Sequence, residues 1–130
     1  MKKLVIKMDR EKIRTDGIYN ADKIENYIDS LFEKEGLIKV NEGLYVEAGS
    51  YSDYEKFWAI IMYLKNLKWF CDYVAEFVWY NSDDSKDPEN FYVEDVKAEM
   101  LKWKTKAKYS KMYMEQNGFS HSIVEEELEL

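Results

Sequence analysis

The densest apolar segment of the chain is residues 52–80, SDYEKFWAIIMYLKNLKWFCDYVAEFVWY, which contains neither glycine nor proline. Within it Phe57, Ile60, Ile61, Leu64, Leu67, Cys71, Val74 and Val78 step by three or four, the spacing of one helix face. A second stripe, Trp58, Met62, Trp69, Tyr73, Phe77 and Tyr80, lies beside the first, while Lys65, Lys68, Asp72 and Glu76 share one narrow polar face. Ser52 followed by Glu55 has the spacing of a capping box, in which hydroxyl and carboxylate each take a free helix amide. The pattern predicts one helix of ~40 Å at 1.5 Å per residue. Being apolar around most of its circumference, it should be buried on several sides. A competing reading breaks the helix near Asn66 and makes residues 69–80 a strand, because aromatic and β-branched residues favour strands.

Upstream, Leu4, Val5 and Ile6 predict a short strand, followed by the charged stretch 9–14 and a turn at Thr15-Asp16-Gly17. Asn20 can cap a helix over 21–35 that aligns Ile24, Tyr27, Ile28, Leu31 and Phe32, with Gly36 just past its end. Leu37, Ile38 and Val40, then Leu44, Tyr45 and Val46, flank Asn41-Glu42-Gly43, which reads as a hairpin with a three-residue loop. Downstream, NSDDSKDPEN is the most polar segment and predicts a loop. Asp87 followed by Pro88 predicts a helix start, since proline is tolerated in the first turn. The core stripe of that helix is Val93, Val96, Met100, Trp103, Ala107 and Met114, and Gly118 ends it. Phe119 is expected to fold back, and the acidic tail beyond Val124 to be loose. The expected architecture is α+β and mostly helical, in one domain. An N-terminal strand–helix–β-hairpin unit, residues 1–49, packs on two long antiparallel helices, 52–80 and 87–117, followed by the acidic tail 119–130.

Composition narrows the class. With 130 residues, 46% hydrophobic and 16% aromatic, the chain suits one globular domain rather than a disordered segment. A single cysteine excludes an internal disulfide and a cysteine-based zinc site. A membrane span is disfavoured, because four charges fall between positions 65 and 76 and the longest uncharged run there, Phe57 to Leu64, is far short of the ~20 residues needed. The opening MKKLVIKMDREK has its apolar run broken by Lys7 and Asp9, too early for a signal peptide, so the expected location is the cytoplasm.

Net charge −7 argues against general nucleic-acid binding, because phosphates repel an acidic surface. The charge is segregated. Residues 2–14 carry six basic against two acidic side chains, and residues 97–111 carry six lysines against Glu99 alone. That lysine run, Lys97, Lys102, Lys104, Lys106, Lys108 and Lys111, is a possible basic patch with Trp103 and Tyr109 available for base stacking. On a helical wheel the lysines instead flank the core stripe, where their stems cover its edges and their heads reach water.

The chemical inventory is thin. Asp83, Ser85, Asp87 and Glu94 match calcium-loop positions, but Pro88 stands where that loop needs glycine. Helix 21–35 with its hairpin could be a winged helix, yet Asp22, Glu25, Asp29, Glu33 and Glu35 would push it off DNA. His121 is the only histidine and has no evident partner, and Cys71 lies on the core stripe as a small hydrophobe. No metal, cofactor or catalytic group is expected. The reading that remains is a non-catalytic acidic interaction module that blocks a partner protein sterically or electrostatically, for instance one with a basic groove. Its expected contacts are the second stripe, Trp58, Trp69, Tyr73 and Phe77, and the acidic loop residues Asp83, Asp84, Asp87 and Glu89. In size and charge, though in no motif, the chain is similar to small acidic inhibitors from phages and mobile elements, such as anti-CRISPR proteins, and to bacterial immunity proteins. The alternatives are a homodimeric accessory protein, and a nucleic-acid binder acting through residues 97–111.

Overall fold

The computed structural model describes residues 1–82, 90–103 and 121–130, with the backbone alone for 101–103 and 121–124. In chain order these residues form β1 (Lys2–Met8), α1 (Arg10–Asp16), α2 (Ala21–Lys34), β2 (Ile38–Asn41), β3 (Leu44–Val46), α3 (Asp53–Lys65), α4 (Lys68–Tyr73), β4 (Val74–Asn81), β5 (Tyr92–Asp95), α5 (Val96–Trp103) and α6 (His121–Leu128). The strands make one antiparallel sheet in the order β2–β3–β1–β4–β5. The fold is therefore α+β but not mostly helical, and neither long helix expected from the sequence runs as such among the described residues: 52–80 is divided into α3, α4 and β4, and 92–95 of the second is the strand β5.

The central segment explains the difference. The helix stops at Lys65, where Asn66 turns its side-chain amide back onto the Met62 carbonyl at 2.6 Å. Leu67 is extended and starts the short α4, and Val74 at its end is again extended. From there the aromatic and β-branched run pairs along the whole of β1 as β4. One unbroken helix would have left an apolar circumference that a chain of this size cannot cover. As a strand, the same residues complete the second side of β1.

The competing reading, a break near Asn66 followed by a strand, is thus the nearer one, and a bulge interrupts the alternation of that strand. Met8 pairs with Val74 and Lys7 with Glu76, so Ala75 is an extra residue in β4 and the alternation changes parity there. Val74 and Phe77 are consequently both buried although they are three apart. A second register shift, between Lys39 and Asn41, leaves Val40 as the extra residue in β2.

The remaining elements follow local rules. Asp9 caps α1 by accepting from the Lys12 amide at 3.0 Å, and Gly17 ends it in the left-handed region. Sequence periodicity missed this helix because Ile13, its one buried residue, makes no stripe. Asn20 caps α2 as expected, and Ile24, Ile28 and Phe32 bury its inner face. The hairpin also forms, but Asn41 pairs with Leu44, so its loop is the two residues Glu42 and Gly43. Gly43 is required: its φ is 72° and a Cβ there would lie 2.3 Å from the Ile6 carbonyl oxygen. Ser52 makes no side-chain cap, so the capping box is not realised. Asp53 Oδ2 instead accepts from the Gly49 and Ser50 amides at 2.8 and 2.9 Å. The expected helix start at Asp87 lies outside the described residues. Residues 92–95, assigned from the sequence to that helix, are β5, and α5 begins at Val96.

The acidic tail is not loose where it is described. Residues 121–128 form α6, Leu128 is buried, and the Asn20 amide donates to the Leu128 carbonyl at 2.9 Å. Tyr19 and Glu129 form an isolated antiparallel bridge, and the Leu130 amide donates to Ile18 at 3.2 Å. Among the described residues no helix is long and apolar enough to cross a membrane.

The core lies on one face of the sheet. Leu4, Ile6, Tyr45, Phe77 and Trp79 point to it and meet the helices there. Phe32 stacks on Tyr45 with ring centroids 3.8 Å apart, Phe57 reaches Trp79 at 5.0 Å and Phe70 reaches Phe77 at 5.0 Å. α5 lies beside the stretch of β4 that β5 leaves unpaired, where Lys97 donates to the Ala75 carbonyl at 3.1 Å.

Candidate functional site

Among the described residues two surfaces stand out once the core is assigned. The first is the other face of the sheet. Cross-strand register puts Ile38, Val46, Lys3, Tyr80 and Val93 in one row across it, then Leu44, Val5, Val78 and Asp95, then Lys7 and Glu76. Val5, Leu44, Val46, Val78 and Tyr80 are half-buried by their neighbours and lie outside the core cluster, while Ile38 and Val93 are about half exposed. Lys3 sits over the Tyr80 and Phe91 rings, 5.1 and 4.5 Å from their centroids. Lys7 and Glu76 form an exposed ion pair at 3.9 Å.

The second surface is an acidic ridge around Tyr19, at the junction of α1, α4 and α6. The α6 helix projects Glu125, Glu126 and Glu127, and Glu129 follows. Tyr73 donates its hydroxyl hydrogen to Asp16 at 2.9 Å and packs edge-on against Tyr19 at 5.8 Å. Burial, then the Asp16 hydrogen bond, pushes the Tyr73 phenol up to about 12. Burial also raises Tyr19, followed by the negative field of Glu125 and Glu129. The cations here are committed to neighbours. Lys68 pairs with Asp72 at 2.5 Å, Lys12 donates to the Asp72 carbonyl at 2.8 Å, and Lys23 donates to the Glu129 carbonyl at 3.0 Å.

The aromatic contacts expected from the sequence are elsewhere. Trp69, Tyr73 and Phe77 are buried by this chain's own residues, which leaves no surface on them for a partner. Trp58 is half-buried, with an indole nitrogen that is enclosed and has no hydrogen-bond partner among the described residues. They read as one exposed stripe only on a continuous helix. With β4 a strand, Phe77 faces the core together with Trp79. Asp83, Asp84, Asp87 and Glu89 lie outside the described residues, as do Lys104, Lys106, Lys108 and Lys111. Lys102 is described by its backbone alone, and Lys97 is turned onto the Ala75 carbonyl.

For chemistry the described residues bring little together. No three histidine, cysteine or acidic side chains among them could hold a metal ion. Glu94, the last position of the supposed calcium loop, stands on β5 beside Glu99, its carboxyl raised by burial and then by that neighbour. Cys71 donates to the Lys65 carbonyl at 3.2 Å. Asp53, which periodicity did not single out, is fully buried, and its Oδ1 has no partner among the described residues. Its Oδ2 ties the 49–50 turn to α3, a structural task. No protein-family model matches this chain, and neither a characterised protein nor a solved structure was found to be similar to it.

Proposed function

We propose that the chain is a non-catalytic acidic interaction module of the inhibitor or immunity type, which works in the cytoplasm by occupying a basic groove on a partner protein. The observation that supports this reading is the docking of the C-terminal acids. Leu128 is anchored in the core, and the adjoining backbone is tied to residues 18–20. Glu125, Glu126, Glu127 and Glu129 are thereby held next to Asp16 and Asp72 instead of trailing in solvent. A pre-ordered array gives up less entropy on binding than a loose acidic tail, and its field steers a basic partner. The sequence placed the acidic contact in residues 83–89, which lie outside the described residues; the acidic array that the described residues do hold is the one on α6.

The test uses the whole chain and a variant, Glu126→Lys with Glu127→Lys, both at exposed positions. A stoichiometric partner should be captured by the parent chain, weaken steeply as salt is raised, and be lost with the variant. A partner held equally by both, or no partner at all, contradicts the reading.

A further inference from the structure

We propose that the open face of the sheet is a self-association surface, on which a second copy of this chain stacks face to face to give a two-layer sandwich of ten strands. This inference stands on the sheet register and is independent of the acidic ridge and of the function assigned to it.

An antiparallel sheet with one wet face alternates apolar and polar residues, whereas strands covered on both faces read as continuous apolar runs. Here Leu4-Val5-Ile6, Leu44-Tyr45-Val46 and Phe77-Val78-Trp79-Tyr80 are apolar at every position. Their inward residues belong to the core, and their outward ones have no covering layer among the described residues.

The chain carries −7, but this face does not share the surplus: Lys3 and Lys7 stand against Glu76 and Asp95. A basic partner gains little from such a face, while a second acidic copy can approach it without the repulsion it would meet elsewhere.

Cross-strand partners lie level with one another, and the basic residues are on β1 while Glu76 is on β4. A two-fold axis parallel to the strands, between β1 and β4, therefore sets each β1 residue over its own cross-strand partner from the other copy. Lys7 then lies over Glu76, Val5 over Val78 and Lys3 over the Tyr80 ring, each twice by symmetry. Val46 on β3 meets Val93 on β5 in the same way, since each is level with the Lys3–Tyr80 pair. Sheets stacked in this manner keep their strand directions within about 30° of each other and sit ~10 Å apart, enough for interdigitated aliphatic side chains. Four strand spacings of about 4.8 Å and a usable length of about 20 Å give a face of roughly 400 Å², in the range of an apolar patch that marks an interface; the two copies together cover about 800 Å², the area of a weak, transient contact. Association is expected at high micromolar to millimolar concentration.

Sedimentation equilibrium of the full chain across a concentration series should show the mass rise from 15.6 kDa to twice that value. Val78→Glu, which places a carboxylate in the centre of the stack, should raise the half-association concentration by about a hundredfold or more. Lys7→Glu, at a position exposed in the single chain, should raise it by about tenfold, and adding Glu76→Lys should restore it to within about threefold. The paired charge swap guards against misfolding of the Val78 variant. A parent chain that stays at 15.6 kDa up to several millimolar overturns the proposal, as does a dimer indifferent to both Val78→Glu and Lys7→Glu.

Discussion

On one side of the sheet Leu4, Ile6, Phe77 and Trp79 are at most 4% exposed and interlock with the aromatic side chains of the helices. One residue along the same strands, Val5, Val78 and Tyr80 are just as apolar, yet they stand outside the core cluster. The two faces have similar residues and different fates. Hydrophobic character along a strand says that a side chain should be covered; register and the placement of the helices decide which face the chain covers by itself.

The strongest way to break this comparison is to substitute neighbouring positions on β4. Phe77→Ala should cost about 3–5 kcal/mol, through lost burial and the cavity left under the helices. Val78→Thr, on the open side, should cost below about 1 kcal/mol in the single chain. Urea titrations of the two variants at equal, low protein concentration check this, and similar losses would mean that the faces are misassigned. Next in size is Leu128→Ala, which removes the anchor of α6 from the covered layer. A loss of about 2–3 kcal/mol is expected, together with faster proteolysis after residue 120. If stability is unchanged, the acidic segment is not part of that layer. Gly43→Ala tests the seam between hairpin and central strand. A left-handed alanine whose Cβ meets the Ile6 carbonyl should cost about 2 kcal/mol, again by urea titration.

The smallest expected effect is a pH response. Tyr73 has its phenol raised from its ordinary value near 10 to about 12, so the unfolded chain loses this proton first as pH rises. The stability it contributes is whole below pH 10 and falls away between pH 10 and 12. Tyr73→Phe should lower stability at neutral pH, through the lost bond to Asp16, while flattening the decline in that alkaline window. An equally steep decline in the variant would place its origin in the other raised tyrosines, Tyr19, Tyr27 and Tyr45.

Much of the local structure was legible where one periodicity dominated. α2 carries its cap, its stripe and its closing glycine in plain order, and the hairpin announces itself by Gly43 between two apolar runs. In the central segment the competing reading was the nearer one: the helix does break at Asn66, and a strand follows, though it begins at Val74 after the short α4. The sequence could not choose, because residues 69–80 are apolar at nearly every position and satisfy both periods. The bulge at Ala75 removed the clean alternation that would have favoured a strand. β5 was absorbed into a helix because Val93 and Val96 fit a three-residue step, although Tyr92 and Val93 carry strand preference. For the surfaces, the acidic character of residues 125–129 was visible, but a single leucine among glutamates gave no sign of docking. The open face could not be found from the chain alone. Val78 sat on a supposed helix stripe, and only the pairing of Val5 with Val78 shows that the two point away from the core together.

The claim that holds the account together is the pairing of β1 with β4, since it creates both faces. Cross-strand nuclear Overhauser contacts measured on the full chain test it most directly. The account predicts contacts that place Leu4 opposite Trp79, Val5 opposite Val78 and Ile6 opposite Phe77, with a one-residue step at Ala75. Helical chemical shifts running unbroken through residues 66–80 would contradict it. So would a register displaced by one residue, which would turn Phe77 and Trp79 to the open side.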